Sequence, residues 1–328
     1  MKILVTGSAG HLGEALMRYL QTTGHEAVGV DIADSLFTTR TGTVADRAFV
    51  REAMQGADAV LHAATLHKPH VATHSRQDFV DTNVSGTLNL LEEAVAANVK
   101  AFVFTSTTSA FGQALNPPPD APAIWIDEDV ASAPKNIYGA TKTAAEDLCQ
   151  LFNFKFALPA IVLRTSRFFP EADDDPELRG EYEDANIKAN EMLFRRVDVQ
   201  DIVSAHMAAI ERAPAMGFGR YIVSATTPFV RGDAGDLRRD APWVVRKYAP
   251  DFEAVYARRG WKMFPSIGRV YDNARARADL GWRPKYDFQH VIESLKSNRD
   301  PRSALAQAIG SKGYHDETFE DGPYPVER

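Results

Sequence analysis

Two short stretches carry side chains that can move a proton. Tyr138-Gly-Ala-Thr-Lys142 sets a phenol and an ammonium four residues apart, and on a helix such residues share a face. A tyrosine with a pKa near 10 is a poor base at neutral pH. A lysine ammonium beside it favours the phenolate, and a cationic oxidised cofactor adds to that. Lowering the pKa by about 3 needs roughly 4 kcal/mol, within reach of two cations in a partly dry site. The spacing thus predicts Tyr138 as acid/base, with Lys142 lowering its pKa. Upstream, Thr105-Ser-Thr-Thr-Ser109 offers hydroxyls to fix the reacting oxygen, although most residues of such a run bond their own turn.

A hydroxyl that loses its proton is oxidised only if a hydride also leaves, so a carrier must sit nearby. The first thirteen residues supply a place for one. Ile3-Leu-Val5 ends in Gly7, Gly10 and Gly13, which predicts a buried strand turning sharply into a helix. Glycine accepts positive φ and lets backbone approach a ligand. The helix N-terminus, with His11 and Leu12 in its first turn, favours an anionic group such as a pyrophosphate. Asp31 closes the next apolar run, Ala27-Val-Gly-Val30. A carboxylate there accepts adenosine ribose hydroxyls and repels a 2′-phosphate, favouring NAD over NADP.

The elements that must hold these groups alternate in type. Leu12, Leu16, Met17 and Leu20 predict a helix with Gly24 as its C-cap. Thr43-Val-Ala-Asp46 reads as a third strand, with Asp46 as the next N-cap. Ala59–His62, Ala101–Thr105 and Leu158–Leu163 read as further strands, and Tyr221–Val223 as a late one. Val84, Leu88, Leu91 and Val95 mark one helix between them, and about 137–152 another. Alternation of this kind predicts an α/β fold, a Rossmann-type doubly wound parallel sheet. Asn116-Pro-Pro-Pro-Asp-Ala-Pro122 must be a loop, and the polar stretch from Glu171 to Ala189 an excursion. The expected division is a cofactor-binding domain, 1–165 plus about 195–227. A smaller mixed substrate lobe takes about 166–194 and 228–310, and 311–328 is an irregular tail.

Composition narrows the function classes. A formal charge of −7 gives no footprint for nucleic acid or an acidic membrane surface. No apolar run has a membrane span's length, and the N-terminal run lacks a secretory pattern. With Cys149 as the single cysteine, a reducing, cytoplasmic setting is expected.

Taken together, Thr6–Gly13, Asp31, His62-Ala-Ala64, Asn83, the Ser/Thr run before Phe111-Gly112, and Tyr138/Lys142 resemble the extended short-chain dehydrogenase/reductases. Within them the chain resembles the NAD-dependent epimerase/dehydratase group, whose C-terminal leucine-glycine-tryptophan segment matches Leu280-Gly-Trp282. The resemblance implies NAD held by Gly7, Gly10, Gly13 and Asp31, with Asp46 near the adenine and His62 beside the cofactor. It implies that Ala63, Asn83 and Thr105 line the cofactor site, and it makes Thr107 the catalytic hydroxyl, with Thr108 beside it toward substrate. It also implies a homodimer through the helices around 83–97 and 138–152, with Cys149 a packing residue.

Departures from the group's patterns matter as much. Its 4,6-dehydratases follow the catalytic threonine with an acid pair, where this chain has Thr108 and Ser109. Its nucleotide-sugar epimerases carry an asparagine after the sixth strand and an arginine before the next. Here Arg164-Thr-Ser-Arg-Phe-Phe-Pro170 occupies the first place and Phe194 the second. The 164–170 stretch looks closer to uronate dehydrogenases, so the expected substrate is small and sugar-like, with Arg167 the first candidate to clamp an acidic one. His62, His67, His70 and His74 lack the cysteine or carboxylate partners of a metal site, so no metal is expected. His67 and His70 are assigned to the substrate pocket. The leading expectation is net NAD-dependent oxidation or reduction at a hydroxyl or carbonyl. Its alternatives are a (nucleotide-)sugar epimerase with no net redox change, and a non-catalytic dinucleotide sensor, which would have lost the tyrosine or lysine.

Overall fold

The computed structural model describes residues 1–313 and 319. Nine strands run in chain order: β1 Lys2–Thr6, β2 Glu26–Asp31, β3 Arg40–Thr41, β4 Ala59–His62, β5 Ala101–Thr107, β6 Ile124–Ile126, β7 Ala160–Thr165, β8 Phe218–Val223 and β9 Arg269–Tyr271. Seven form one parallel sheet in the order β3-β2-β1-β4-β5-β7-β8. Both faces are covered by helices, so its strands read as apolar runs with little alternation. The order reverses direction beside β1, and ligands of such sheets bind in the crevice outside the strands' carboxyl ends. Register brings Thr6 opposite both Val30 and His62, and Thr107 opposite Thr165, which lines up those ends.

Each element has a local cause. The helix His11–Gln21 buries Leu12, Leu16, Met17 and Leu20 against the sheet. It is closed by Thr22, and Gly24 is not its cap. The third strand lies at Arg40–Thr41 instead of 43–46. Asp46 is an exposed N-cap accepting from Ala48 and Phe49 N–H, so the carboxylate stops the strand pattern to start a helix. The long helix Ile137–Phe156 begins where Asn136 accepts from Gly139 N–H and ends at left-handed Ala157. Its buried stripe includes Tyr138, Lys142, Glu146 and Cys149, spaced three and four apart.

Two large apolar clusters flank the sheet. Trp282 joins one of them, its indole N–H donating to Asp201 O at 3.1 Å and Ser204 Oγ at 2.9 Å. Gly281 has φ +69, the left-handed turn that sends the chain back to the sheet after Leu280. A separate cluster holds residues between 182 and 194 together with residues between 225 and 295. Over it lies a second, two-stranded parallel sheet, β6 with β9. Neither strand is evident in the sequence, because three residues show too little periodicity. No helix among the described residues is long and apolar enough to cross a membrane.

Candidate active site

A cleft of about 1070 Å³ runs along the carboxyl edge. One end is walled by Gly7, Gly10, His11, Leu12, Gly13, Asp31, Ala63 and residues 42–44. Gly7 has φ +73, and its N–H donates to Val30 O at 2.8 Å. A Cβ on Gly13 would lie 1.8 Å from Gly7 O, and one on Gly7 2.7 Å from Ala64 N. Those two glycines are sterically required, whereas a Cβ on Gly10 meets only Gly7 O at 3.3 Å. Asp31 accepts from Ala9 N–H and Ala33 N–H, both at 2.9 Å. This is a turn pinned to the end of β2, with a helix N-terminus facing the cleft, which suits a dinucleotide's pyrophosphate. Behind it, Glu171 accepts from Ser311 Oγ at 2.8 Å and lies 3.0 Å from His11 Nε2. It also accepts from the backbone of Lys312 and Gly313, so residues 311–313 cross the start of the first helix. These bonds hold the Glu171 carboxyl down to about 2 against the effect of burial.

At the cleft's centre Tyr138, Lys142, Thr107 and Thr108 converge, all nearly buried. Burial pushes the Tyr138 phenol up to about 12, and its hydrogen bond with Thr107 offsets only part of that. Burial also brings Lys142 down from 10.5 to about 7, with Glu146 opposing. Burial thus works against the charged form of each group. The Lys142 ammonium sits 4.0 Å above the Phe104 ring. Under it, Glu146 is bound by Ser106 Oγ at 2.5 Å, Arg164 Nη2 at 2.7 Å and Arg220 Nε at 3.0 Å. Arg164 is therefore a buried support of the helix Ile137–Phe156. Thr105 lines the cleft and bonds His206 Nε2 at 2.8 Å. His206 Nδ1 faces Ile202 O at 2.8 Å, so Nδ1 carries the proton and Nε2 accepts from Thr105. Burial lowers that imidazole to about 4, keeping it neutral.

The family model for the NAD-dependent epimerase/dehydratase family matches residues 3–222. The chain belongs to that family. Among its relatives, a UDP-glucose 4-epimerase of Rhizobium meliloti (strain 1021) is 28% identical over 329 residues, covering 89% of this chain and 95% of the relative. A short-chain dehydrogenase/reductase superfamily protein of Agrobacterium tumefaciens, solved with bound NAD, superposes with a TM-score of 0.64 at 22% identity, over 94% of this chain and 99% of that one. A UDP-glucose 4-epimerase of Thermotoga maritima, solved with UDP-glucose, gives a TM-score of 0.60 at 21% identity, over 91% and 99%. These two share the fold.

In this family member several sequence-expected residues stand behind the cleft wall, outside its lining. Asn83 accepts from Thr65 Oγ1 at 2.9 Å and Leu66 N–H at 2.8 Å, and donates to Thr141 Oγ1 at 3.0 Å. It thus braces the 65–66 wall against the helix Ile137–Phe156. His62 is buried between Thr6 Oγ1 and Thr87 Oγ1, at 2.7 and 2.9 Å, and burial drives its pKa well down. It is a neutral core residue directly behind Gly7 and Ala63 of the cleft wall, outside the lining itself. Asp46 is turned to its own helix, and Gly42, Thr43 and Val44 line the cleft in its place. His67 and His70 line the outer half, their rings 4.6 Å apart. Cys149 is buried, with its thiol pushed up, which fits packing.

Arg167 is drawn into a carboxylate network, bound by Asp173, by Asp174 at 2.8 Å and by Glu191 at 3.1 Å. Arg167 lines the cleft as expected, with its guanidinium shared among these three carboxylates. The sequence reading missed Ser166, Arg195, Arg269, Tyr271 and Lys312, all cleft-lining. The adjacent Arg195-Arg196 was a visible signal; Arg269 was hidden in a strand too short to recognise.

Proposed function

We propose that this chain is an NAD-dependent enzyme working on a hydroxyl of a sugar-like substrate by reversible oxidation within one catalytic cycle, an epimerase. The observation that carries the reading is the buried meeting of Tyr138, Lys142 and Thr107 at the carboxyl edge, beside the glycine turn. NAD, when bound, accepts a hydride from carbon and can return it. Tyr138 takes the hydroxyl proton through Oη and gives it back in the reverse step. Thr107 orients the reacting oxygen. Lys142, whose ammonium Glu146 supports against burial, favours the phenolate and holds the nicotinamide ribose. Because burial raises the phenol to about 12, its ionisation draws on added positive charge in the closed site.

The relative's name, UDP-glucose 4-epimerase, supports a redox-neutral cycle over net oxidation. Net oxidation of a smaller substrate is the second reading, favoured by Phe194 and by the Lys68–Asp174–Arg167 bridge in the outer cleft. An assay following both 340 nm absorbance and product configuration separates the two. Epimer without stoichiometric NADH is expected; stoichiometric NADH without inversion overturns the first reading.

Asp31 supports NAD over NADP, since its carboxylate repels a 2′-phosphate. We assign cofactor binding to 1–165 and about 195–227, and substrate choice to about 166–194 and 228–310. A homodimer through the helices around 83–97 and 138–152 is supported by exposed Leu151 and Phe154 on the second of these.

A further inference from the structure

At the outer end of the cleft the ion pairing is uneven. Glu191 Oε1 takes Arg195 at 2.7 Å and Arg167 at 3.1 Å, while its Oε2 takes Arg196 at 2.7 Å. Asp173 and Asp174 are shared among Arg167, Arg195 and Lys68. Arg269 lines the same cleft from β9 yet has no carboxylate partner among the described residues. Its one hydrogen bond is from Nη1 to Leu115 O, at 3.3 Å, and its Nε is buried without a partner. The Nε of Arg195 is buried and unpartnered as well. The Arg269 guanidinium is partly buried, with its Nε wholly so, and a polar atom withdrawn from water without a partner is costly. Arg167 and Arg195 add like-charge repulsion, and with burial they depress the Arg269 pKa. The planar guanidinium fork matches a carboxylate in shape and charge.

We infer that the outer cleft holds the carboxylate of an acidic sugar on Arg269, with Arg195 beside it, while the reacting hydroxyl faces Tyr138 and Thr107. This deepens the proposed function and rests on its sugar-like substrate. The 108–115 segment joins the two ends, starting beside Thr107 and closing at the Leu115 carbonyl that Arg269 holds. Arg269 thereby serves as a specificity residue, choosing a sugar acid over the neutral sugar. The acid can arrive free or nucleotide-linked, and the ligands below separate those sources.

The test is calorimetry on the NAD-loaded Tyr138→Phe protein, in which turnover is blocked. D-Glucose, D-galactose, D-glucuronate, D-galacturonate, UDP-glucose and UDP-glucuronate are titrated in turn, with and without Arg269→Gln or Arg269→Lys. The expected result is an acid bound at least about tenfold more tightly than its neutral counterpart, the size of one charge-assisted pair. Arg269→Gln should erase that preference, leaving neutral-sugar and NAD affinity unchanged, and Arg269→Lys should keep part of it. No preference in any pair, no binding of any acid, a preference that survives Arg269→Gln, or an equal loss for UDP-glucose each overturns the assignment. NADH formation by the Tyr138→Phe protein would instead refute the proposed acid/base, and the binding preferences would still report on Arg269.

Discussion

Replacing Lys142 by Met should stabilise the protein, and do so more the lower the pH. In the folded protein Lys142 loses its proton at about 7 instead of 10.5, a difference that converts to about 5 kcal/mol. A lysine with a lower pKa when folded binds fewer protons in that state. Stability contributed by this site is therefore poorest below pH 7 and recovers as pH rises from 7 to 10.5. Methionine fills a similar volume without the charge. The substitution does not orphan Glu146, which keeps Ser106, Arg164 and Arg220. Against the gain stands the loss of the ammonium's contact with Phe104, about 1 kcal/mol. The expected advantage of Lys142→Met is about 4 kcal/mol at pH 6. By pH 10 the folded Lys142 is neutral and the penalty has shrunk to about 1 kcal/mol, so the advantage falls to about that size. Urea unfolding of both proteins without added nucleotide, followed by tryptophan fluorescence at pH 6, 8 and 10, measures it. Titrating groups remote from Lys142 cancel in the difference, whereas its neighbours Glu146, Cys149 and His62 do not fully cancel. A stability difference that is flat with pH refutes the reasoning, because it would mean that Lys142 is not desolvated in the folded state. Turnover should be lost in the same variant, a trade of stability for function.

Three further outcomes follow from the site. Gly13→Ala should weaken NAD binding at least about a hundredfold and lower the melting temperature, since its Cβ would lie 1.8 Å from Gly7 O; Gly10→Ala, with its nearest contact at 3.3 Å, should keep the fold. Tyr138→Phe should cut kcat by about a thousandfold with NAD affinity nearly unchanged, and near-wild-type turnover would remove the mechanism. Asp31→Asn should shift preference toward NADP by about tenfold, roughly 1.4 kcal/mol, as read by competition titration of the two nucleotides.

Much of the site was legible along the chain because its parts are local. A strand, a glycine turn and a helix occupy Lys2–Gln21, and the phenol and ammonium share two adjacent turns of Ile137–Phe156. Local geometry alone places such neighbours. Asp46 and Asn83 were assigned to the cofactor wall because residue type carries no information on which way a side chain turns. Asp46 satisfies its own helix, and Asn83 ties two elements behind the wall. The effect of burial on Tyr138 and Lys142 could not be read along the chain either, since burial is a property of everything packed around them.

The sequence by itself determined the order of elements, the family, and the pairing of Tyr138 with Lys142 on one helix face, all readable from spacing and residue type. Only the tertiary structure shows how the charge of each cleft-lining arginine is compensated. Arg167 follows a strand in plain sight, yet Asp173, Asp174 and Glu191 absorb its charge. Arg269, about a hundred residues further along, reaches the same cleft through the pairing of β6 with β9 and keeps its charge unmatched. Charge compensation depends on distances across the fold, and no local pattern encodes those.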